Sequence, residues 1–453
     1  MDTEHPATPG TVRERREAGQ RLRRTLPRSA HAAWTAPAGR GDPVAILQTQ
    51  DAMRIPALVP LRMGRMRQDA FAFLRGAAAV MAADLGAMPD SGIRVQACGD
   101  AHLLNFGAFA SPEGTPLFDV NDFDETLPAP FEWDLKRLAA SLAVAGRLHG
   151  LEDKACRAVA RRAVHAYRRT IDQLANVPPL DAWRARVDLE AALDDIGDRD
   201  ARRRARMRVQ SAVQASRNAY GHLLSSDGSL SLPERPPAVY RLGPEEQTAH
   251  AAFASYRAGL AEERHVLLER YRLRDVAFKA VGVGSVGTFC AIGLFATADG
   301  DAMLLQLKEA QRSVLAPFAG ESAYANHGER VVVGQRMMQA APDVFLGWNE
   351  PSDGGRCFYV RMLKDSRLAE AGATLDGGTL PFAARLCGRT LARSHARSGD
   401  AATISGYLGE GDSFDEAIAT FALRYAEQTR QDHQAFVHAI RSGRIEAARE
   451  RRR

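Results

Sequence analysis

A chain of 453 residues with 45% apolar and 25% charged side chains holds enough material for two to three packing units and a sizeable core. No apolar run approaches the ~18–20 residues needed to span a bilayer, and the Arg-rich beginning has no apolar signal core, so a cytoplasmic protein without a membrane partner is expected. Five scattered cysteines with no Cys-x-x-Cys pair speak against a disulfide framework or a zinc site.

The net charge of +5 is small, but only five of the 60 basic residues are lysines, so a lysine at a structured position stands out. Residues 1–45 are rich in Pro, Gly, Arg and Thr with little apolar periodicity, and read as a flexible basic arm. Arg-rich runs at 13–24, 202–208 and 449–453 lack interleaved aromatics. Solvated helix faces are therefore favoured over a nucleic-acid surface. From 46 to 88 the chain turns apolar, with a helical run Phe71–Leu85. Arg62, Arg65 and Arg75 stand just upstream of an acidic region, placed either to reach a phosphate or to form surface ion pairs.

Ile93–Ala97 reads as a strand delivering the loop Gly99–Asn105, and Pro116–Val120 as a second strand delivering Asp122. Phosphoryl transfer from Mg-ATP calls for one Asp to orient a hydroxyl, then an Asn and a second Asp to hold metal. Asp100 is the candidate base, and Asn105, Asp122 and Asp124 are the candidate Mg2+ ligands. His102 reads as a brace for the loop. Any one loop Asp is ordinarily a turn residue; the signal lies in the ordered set. A long, mostly helical stretch runs from Trp133 to Ser225, followed by a Gly/Ser/Pro linker at Asp227–Pro237 and a helix over Glu245–Arg270.

Val276–Val281 then forms a strand running into Gly282-Val283-Gly284-Ser285-Val286-Gly287. A Gly-x-Gly-x-x-Gly suggests a Rossmann dinucleotide site only if a helix follows directly. Here Thr288–Phe295 and Met303–Lys308 flank an Asp-Gly turn, which is a hairpin pattern. A glycine loop between strands, with Lys on the third, is how kinases cover ATP phosphates. Gly282, Gly284, Gly287 and Lys308 are therefore the candidate ATP-phosphate residues. An acidic partner for Lys308 is sought on the segment Gly328–Gln339, with Glu329 preferred and Glu321 as its rival. Val344–Trp348 and Cys357–Leu363 read as fourth and fifth strands. Pro381–Ala396 is an amphipathic helix in which His395 and Asp400 read as polar end residues, and Ser413–Ser442 adds one or two helices.

The spacing Gly-Asp-x-His-x-x-Asn followed by Asp-Phe-Asp resembles the aminoglycoside phosphotransferase and choline kinase branch of the protein-kinase-like fold. That resemblance implies that Asp134, opening the helix Trp133-Asp134-Leu135, ties down the catalytic loop. Cys98 departs from the His usual before the Gly/Arg-Asp, so the loop's internal support must differ. More narrowly, Leu58–Met66, Gly99–Gly107, Asn121–Glu125, Glu132–Leu138, Gln306–Ala310, Arg330–Arg336 and His395–Ser398 resemble the bacterial domain-of-unknown-function 2252 family.

These likenesses imply an α+β, bilobal, circularly permuted protein-kinase-like fold with catalytic loops first and nucleotide-gripping strands later. The expected division is a basic arm (1–45), a catalytic part (46–240), a nucleotide-binding β part (241–380) and closing helices with a basic tail (381–453). The implied activity is ATP- and Mg2+-dependent phosphoryl transfer to a small hydroxyl- or amino-bearing molecule. Adenylyl transfer, a non-catalytic nucleotide sensor, and nucleic-acid association stand as alternatives.

Overall fold

The computed structural model describes residues 10–216, 230–236, 239–241, 243, 245–279, 282, 284, 286–351, 355–363 and 378–448. Most of the Asp227–Pro237 linker's first half, part of the glycine loop and the tail Arg449–Arg453 lie outside them. The fold is helix-rich α+β. Its main sheet has six antiparallel strands in the order β5-β6-β7-β8-β10-β9, where β5 is Val239–Tyr240, β6 Arg272–Lys279, β7 Cys290–Ala296, β8 Ala302–Glu309, β9 Gly347–Trp348 and β10 Phe358–Met362. Two small sheets pair β1 (Arg94–Ala97) with β4 (Leu127–Pro130) and β2 (Phe106–Ala110) with β3 (Pro116–Val120).

The expected hairpin forms because β7 is buried along its whole length and can only be satisfied between two neighbours. Gly300 supplies the left-handed turn conformation (φ +94°). The pairing sets Cys290 opposite Lys308, and Lys308 opposite Tyr359 on β10. Beneath the sheet, Phe253, Phe278, Phe289, Phe295 and Phe358 form its own aromatic core.

The helical body draws on both halves of the chain. The Phe131–Leu148 helix is buried almost all round, and its polar residues Glu132, Asp134, Lys136 and Arg137 are buried along with the apolar ones. Around it pack Asp153–Ala175, Leu380–Ser398 and Ser413–Arg441. The last of these buries Phe414, Ile418, Phe421 and Tyr425 at helical spacing. Helices from 131–175 and 380–441 thus share one core, and the residues of the six-stranded sheet are inserted between them in sequence.

Three expectations need correction. The run Phe71–Leu85 is two helices, Ala70–Gly76 and Ala78–Gly86, separated at Ala77, whose backbone leaves helical geometry (φ −113°, ψ 39°). Likewise Glu245–Arg270 divides into Glu245–Ala258 and Glu262–Leu268. The arm is not loose over its described part, residues 10–45. Its helix Val12–Leu22 lies against the helix Ala401–Leu408 through glycines on both sides. A Cβ on Gly19 would stand 2.0 Å from the Thr403 carbonyl oxygen, and one on Gly406 would stand 2.1 Å from that of Arg16. Arg15 pairs with Asp400 (2.7 Å), and Arg40 bridges Asp84 and Asp432 (2.7 and 2.6 Å). A glycine inside an Arg-rich run reads as a helix breaker; here it permits backbone contact. All five cysteines are free thiols. Among the described residues no helix is long and apolar enough to cross a membrane.

Gly19→Ala should therefore lower unfolding free energy by about 1–3 kcal/mol, since the crowded backbones have no flexible side chain to yield. Chemical denaturation measures this.

Candidate active site

β1 ends at Ala97, and the chain turns through Gly99 in a left-handed conformation (φ +83°), where a Cβ would stand 2.4 Å from the Glu125 carbonyl oxygen. Only glycine fits this crossing of the two loops. Asp134, in the first turn of its helix, accepts the Cys98 N–H (2.6 Å) and the Gly99 N–H (3.0 Å), one on each carboxylate oxygen. This is the tie the kinase resemblance implies. Its outer support was not expected: His395 Nε2 lies 3.2 Å from Asp134 Oδ2, and His395 Nδ1 lies 2.9 Å from the Tyr167 hydroxyl. His395 is fully buried. It therefore braces the loop from a distant helix, and is not a solvated polar end residue. Asp400 does act as a cap, accepting the Ala402 N–H (3.0 Å).

Further along the loop, Leu103 N–H donates to Ser141 Oγ (2.9 Å), and Asn105 Nδ2 donates to the Asp100 carbonyl (2.6 Å). His102 Nδ1 accepts the Leu104 N–H (3.2 Å). Burial, then the charges of Arg75 and Arg137, push the His102 pKa well below its usual value. The ring is neutral at physiological pH, and the Nδ1 acceptor puts its proton on Nε2. Asp100 Oδ1 is held by Arg137 Nε (2.7 Å) and Nη2 (2.5 Å). Burial raises the Asp100 pKa, against the opposing pull of Arg137.

Asn121 N–H donates to the Asn105 carbonyl (2.7 Å), joining the two loops directly. From the sheet, Lys308 places Nζ 2.6 Å from Asp124 Oδ2 and 3.4 Å from Asp122 Oδ1. Tyr359, its cross-strand neighbour, donates its hydroxyl to Asp124 Oδ1 (2.5 Å). Burial opposes the lysine's charge, but Asp122 and Asp124 outweigh it and raise its pKa well above the usual value. Two sheet-side guanidiniums clamp the loop backbone. Arg330 donates to the Thr126, Asp124 and Gln311 carbonyls (2.6, 2.8 and 2.8 Å), and Arg361 to that of Asn121 (3.0 Å).

A cavity of about 500 Å3 lies over this arrangement, with Asp100, Asn105, Asp122, Asp124, Gly282 and Gly284 in its lining. Residues 280, 281, 283 and 285 of the glycine loop lie outside the described residues. Gly287 is absent from that lining; its carbonyl accepts the Ile55 N–H (2.7 Å), anchoring the loop's far end. Lys308 does not pair with Glu329 or Glu321 in any described contact. Glu329 faces the charge of Glu350, and Glu321 pairs with Arg312. The three upstream arginines also part ways. Arg62 is a buried strut to Asp51 (2.8 Å), Arg65 reaches the Gly282 carbonyl (3.1 Å), and Arg75 lines the cavity with Nε buried and unpartnered.

Across residues 54–439 the chain matches the family described as uncharacterized proteins conserved in bacteria, DUF2252. The chain belongs to this family. No curated protein and no solved structure shows significant similarity to it. The DUF2252 match takes in every residue of the cavity from Arg54 onward. Arg137, Tyr359, Arg330 and His395 are the members of the site that sequence reasoning passed over. Arg137 alone had a local signal, one helical turn after Asp134.

The donor chemistry suits a hard cation shared with phosphate. Asn105 spends its amide N–H on Asp100, which leaves its oxygen as the ligand atom beside the Asp122 carboxylate. Among the described residues no three or more His, Cys, Asp or Glu side chains form a closed cage. Mg2+ commonly takes one or two carboxylates and completes its shell with water and substrate phosphate. Asp124 has both oxygens engaged, by Lys308 and Tyr359, and is better placed to hold the lysine than a metal.

Asp134→Ala should cost about 3 kcal/mol or more of unfolding free energy, because bonds to a buried carboxylate are each worth ~1.5–3 kcal/mol; urea denaturation measures it. Burial raises the Glu125 pKa to about 7, against the Val314 N–H that it accepts (2.7 Å). The folded state thus binds this proton more tightly than the unfolded chain, and the resulting stability is lost as pH rises through 7. Glu125→Gln keeps the acceptor and removes the titration. Its melting temperature should fall less than wild type between about pH 5 and pH 8.

Proposed function

We propose that the chain is an ATP- and Mg2+-dependent phosphotransferase of the protein-kinase-like kind, circularly permuted, acting on a small hydroxyl- or amino-bearing molecule. One observation carries this reading: Lys308 meets Asp122 and Asp124 across a separation of 186 and 184 residues, beside Asp100, Asn105 and the glycine loop. The permutation is supported by a helical body drawn from both sides of the inserted sheet.

In this reading Gly282 and Gly284 bring backbone against the triphosphate, since no Cβ intervenes. Lys308 turns its ammonium from the carboxylates to the phosphates. Asn105 and Asp122 would hold Mg2+, which when bound supplies charge neutralisation at the β- and γ-phosphoryl oxygens. Asp100 orients the acceptor hydroxyl and takes its proton as the new O–P bond forms and ADP leaves. Arg137 fixes one Asp100 oxygen and leaves the other to the substrate. Burial strengthens that carboxylate as a base. Arg75, whose side chain lines the cavity, is placed to meet an oxygen of the transferring group.

Purified protein with ATP and Mg2+ should release ADP in the presence of one member of a panel of hydroxyl- and amino-bearing metabolites. Asp100→Asn should slow this by about 10²–10⁴-fold. Asp122→Ala should abolish Mg2+-dependent turnover with the circular dichroism spectrum unchanged. Undiminished ADP release in Asp122→Ala would sink the reading, and pyrophosphate in place of ADP would replace it with adenylyl transfer.

A further inference from the structure

Where the Val12–Leu22 helix docks, a second cavity of about 320 Å3 opens between it and the Asp153–Ala175 and Ala401–Leu408 helices. It shares no lining residue with the cavity around Asp100. Five guanidiniums line it, those of Arg16, Arg23, Arg28, Arg168 and Arg169, against two carboxylates, Asp172 and Glu410. With Asp415 also set against Arg168, two positive charges are in excess in a concave, three-sided space.

The arginines divide by how their charge is met. Arg168 is matched by Asp415 (2.9 Å), and Arg16 by Asp172 (2.7 Å), although the Arg16 Nε remains buried and unpartnered. Arg23 and Arg28 have no carboxylate among the described ion pairs. They donate to the last carbonyls of the Ala401–Leu408 helix: Arg23 to those of Gly406 and Tyr407, and Arg28 to that of Leu408 (2.6 Å). Helix-end carbonyls carry only partial negative charge and satisfy few of the five N–H groups on each guanidinium. Arg169 is exposed and has no ion pair among the described residues.

Gly409 brings the unmatched pair together. It sits in a left-handed conformation (φ +69°), and the position its Cβ would take lies 2.6 Å from Arg23 Nη2 and 2.9 Å from Arg28 Nη1. Two cations therefore face one another over a gap that glycine alone leaves open. Like charges so close repel unless an anion lies between them. Guanidinium forks match phosphoryl oxygens in bidentate geometry, and the volume is that of a small-ligand site.

We propose that this cavity binds a small polyanion carrying adjacent phosphoryl groups. One phosphoryl group sits between Arg23 and Arg28 above Gly409, and its neighbour is reached by Arg169. Occupancy clamps the N-terminal helix to the two helices beneath it.

The test is calorimetric titration of the full chain with inorganic pyrophosphate in the absence of Mg2+. Saturable binding is expected, weakened roughly tenfold or more in Arg169→Gln and in Arg28→Gln, for the loss of one charge-assisted contact. It should persist in Arg75→Gln, which removes a guanidinium that lines the other cavity. Arg169 is exposed and unbridged, so its substitution leaves the fold intact and decides the matter alone. The proposal is overturned if wild type shows no saturable binding, if Arg169→Gln binds as wild type does, or if Arg75→Gln abolishes the signal.

Discussion

A lysine ammonium that is only 2% exposed holds the molecule's two structural systems in register. Lys308 arrives on the sheet and its half-buried carboxylate partners on loops of the helical body, and the buried ammonium would not be stable at its depth without them. Tyr359 closes the far oxygen of Asp124, so the charge has a hydrogen-bonded cage and not a single contact. Arg330 and Arg361 extend the same logic to the backbone, filling loop carbonyls that no strand ladder reaches. The contact between sheet and helices is thus polar and directional where it meets the cavity. Apolar burial would have been more forgiving of sliding; a network of this kind fixes position to within hydrogen-bond distance.

The acidic loops are supported from beneath with comparable care. Asp134 satisfies two backbone N–H groups at the turn, His395 fixes Asp134, and Tyr167 fixes His395. The chain spans three helices before it reaches Asp100. Cys98, buried at the start of the loop, donates its thiol to the Asp122 carbonyl (3.3 Å), while an imidazole from far along the sequence supports Asp134.

Much of this was legible in the residues, for physical reasons that can be named. Pro116–Val120 matches its strand, because alternation and flanking turn residues are local signals. The hairpin carrying Lys308 was readable from strand, Asp-Gly turn and strand. The lysine's partner was not, since that depends on which loop the finished sheet lies against. In the His327–Met338 helix, Arg330, Gly334 and Met338 face inward, whereas Glu329, Val333 and Arg336 form a half-exposed face. The acidic residue chosen for its chemistry lay on the wrong side, and its basic neighbour did the burying. Asp134 was legible by resemblance, but His395 was not, because nothing local marks a histidine 261 residues away as its partner. The packing of the arm was hidden too, since Gly19 and Gly406 act only as a pair.

The divided origin of the helical body has a consequence for how the chain comes into being. A ribosome releases the Phe131–Leu148 and Asp153–Ala175 helices long before the Leu380–Ser398 and Ser413–Arg441 helices that cover them. Until those later helices emerge their apolar faces have no permanent cover, and closure must bring together segments more than 200 residues apart. Such distant pairings are slow to form and leave sticky intermediates. Closure of this helical body is therefore gated by the arrival of the Leu380–Ser398 and Ser413–Arg441 helices, and it places a demand on chaperones that a chain folding in sequential order would escape.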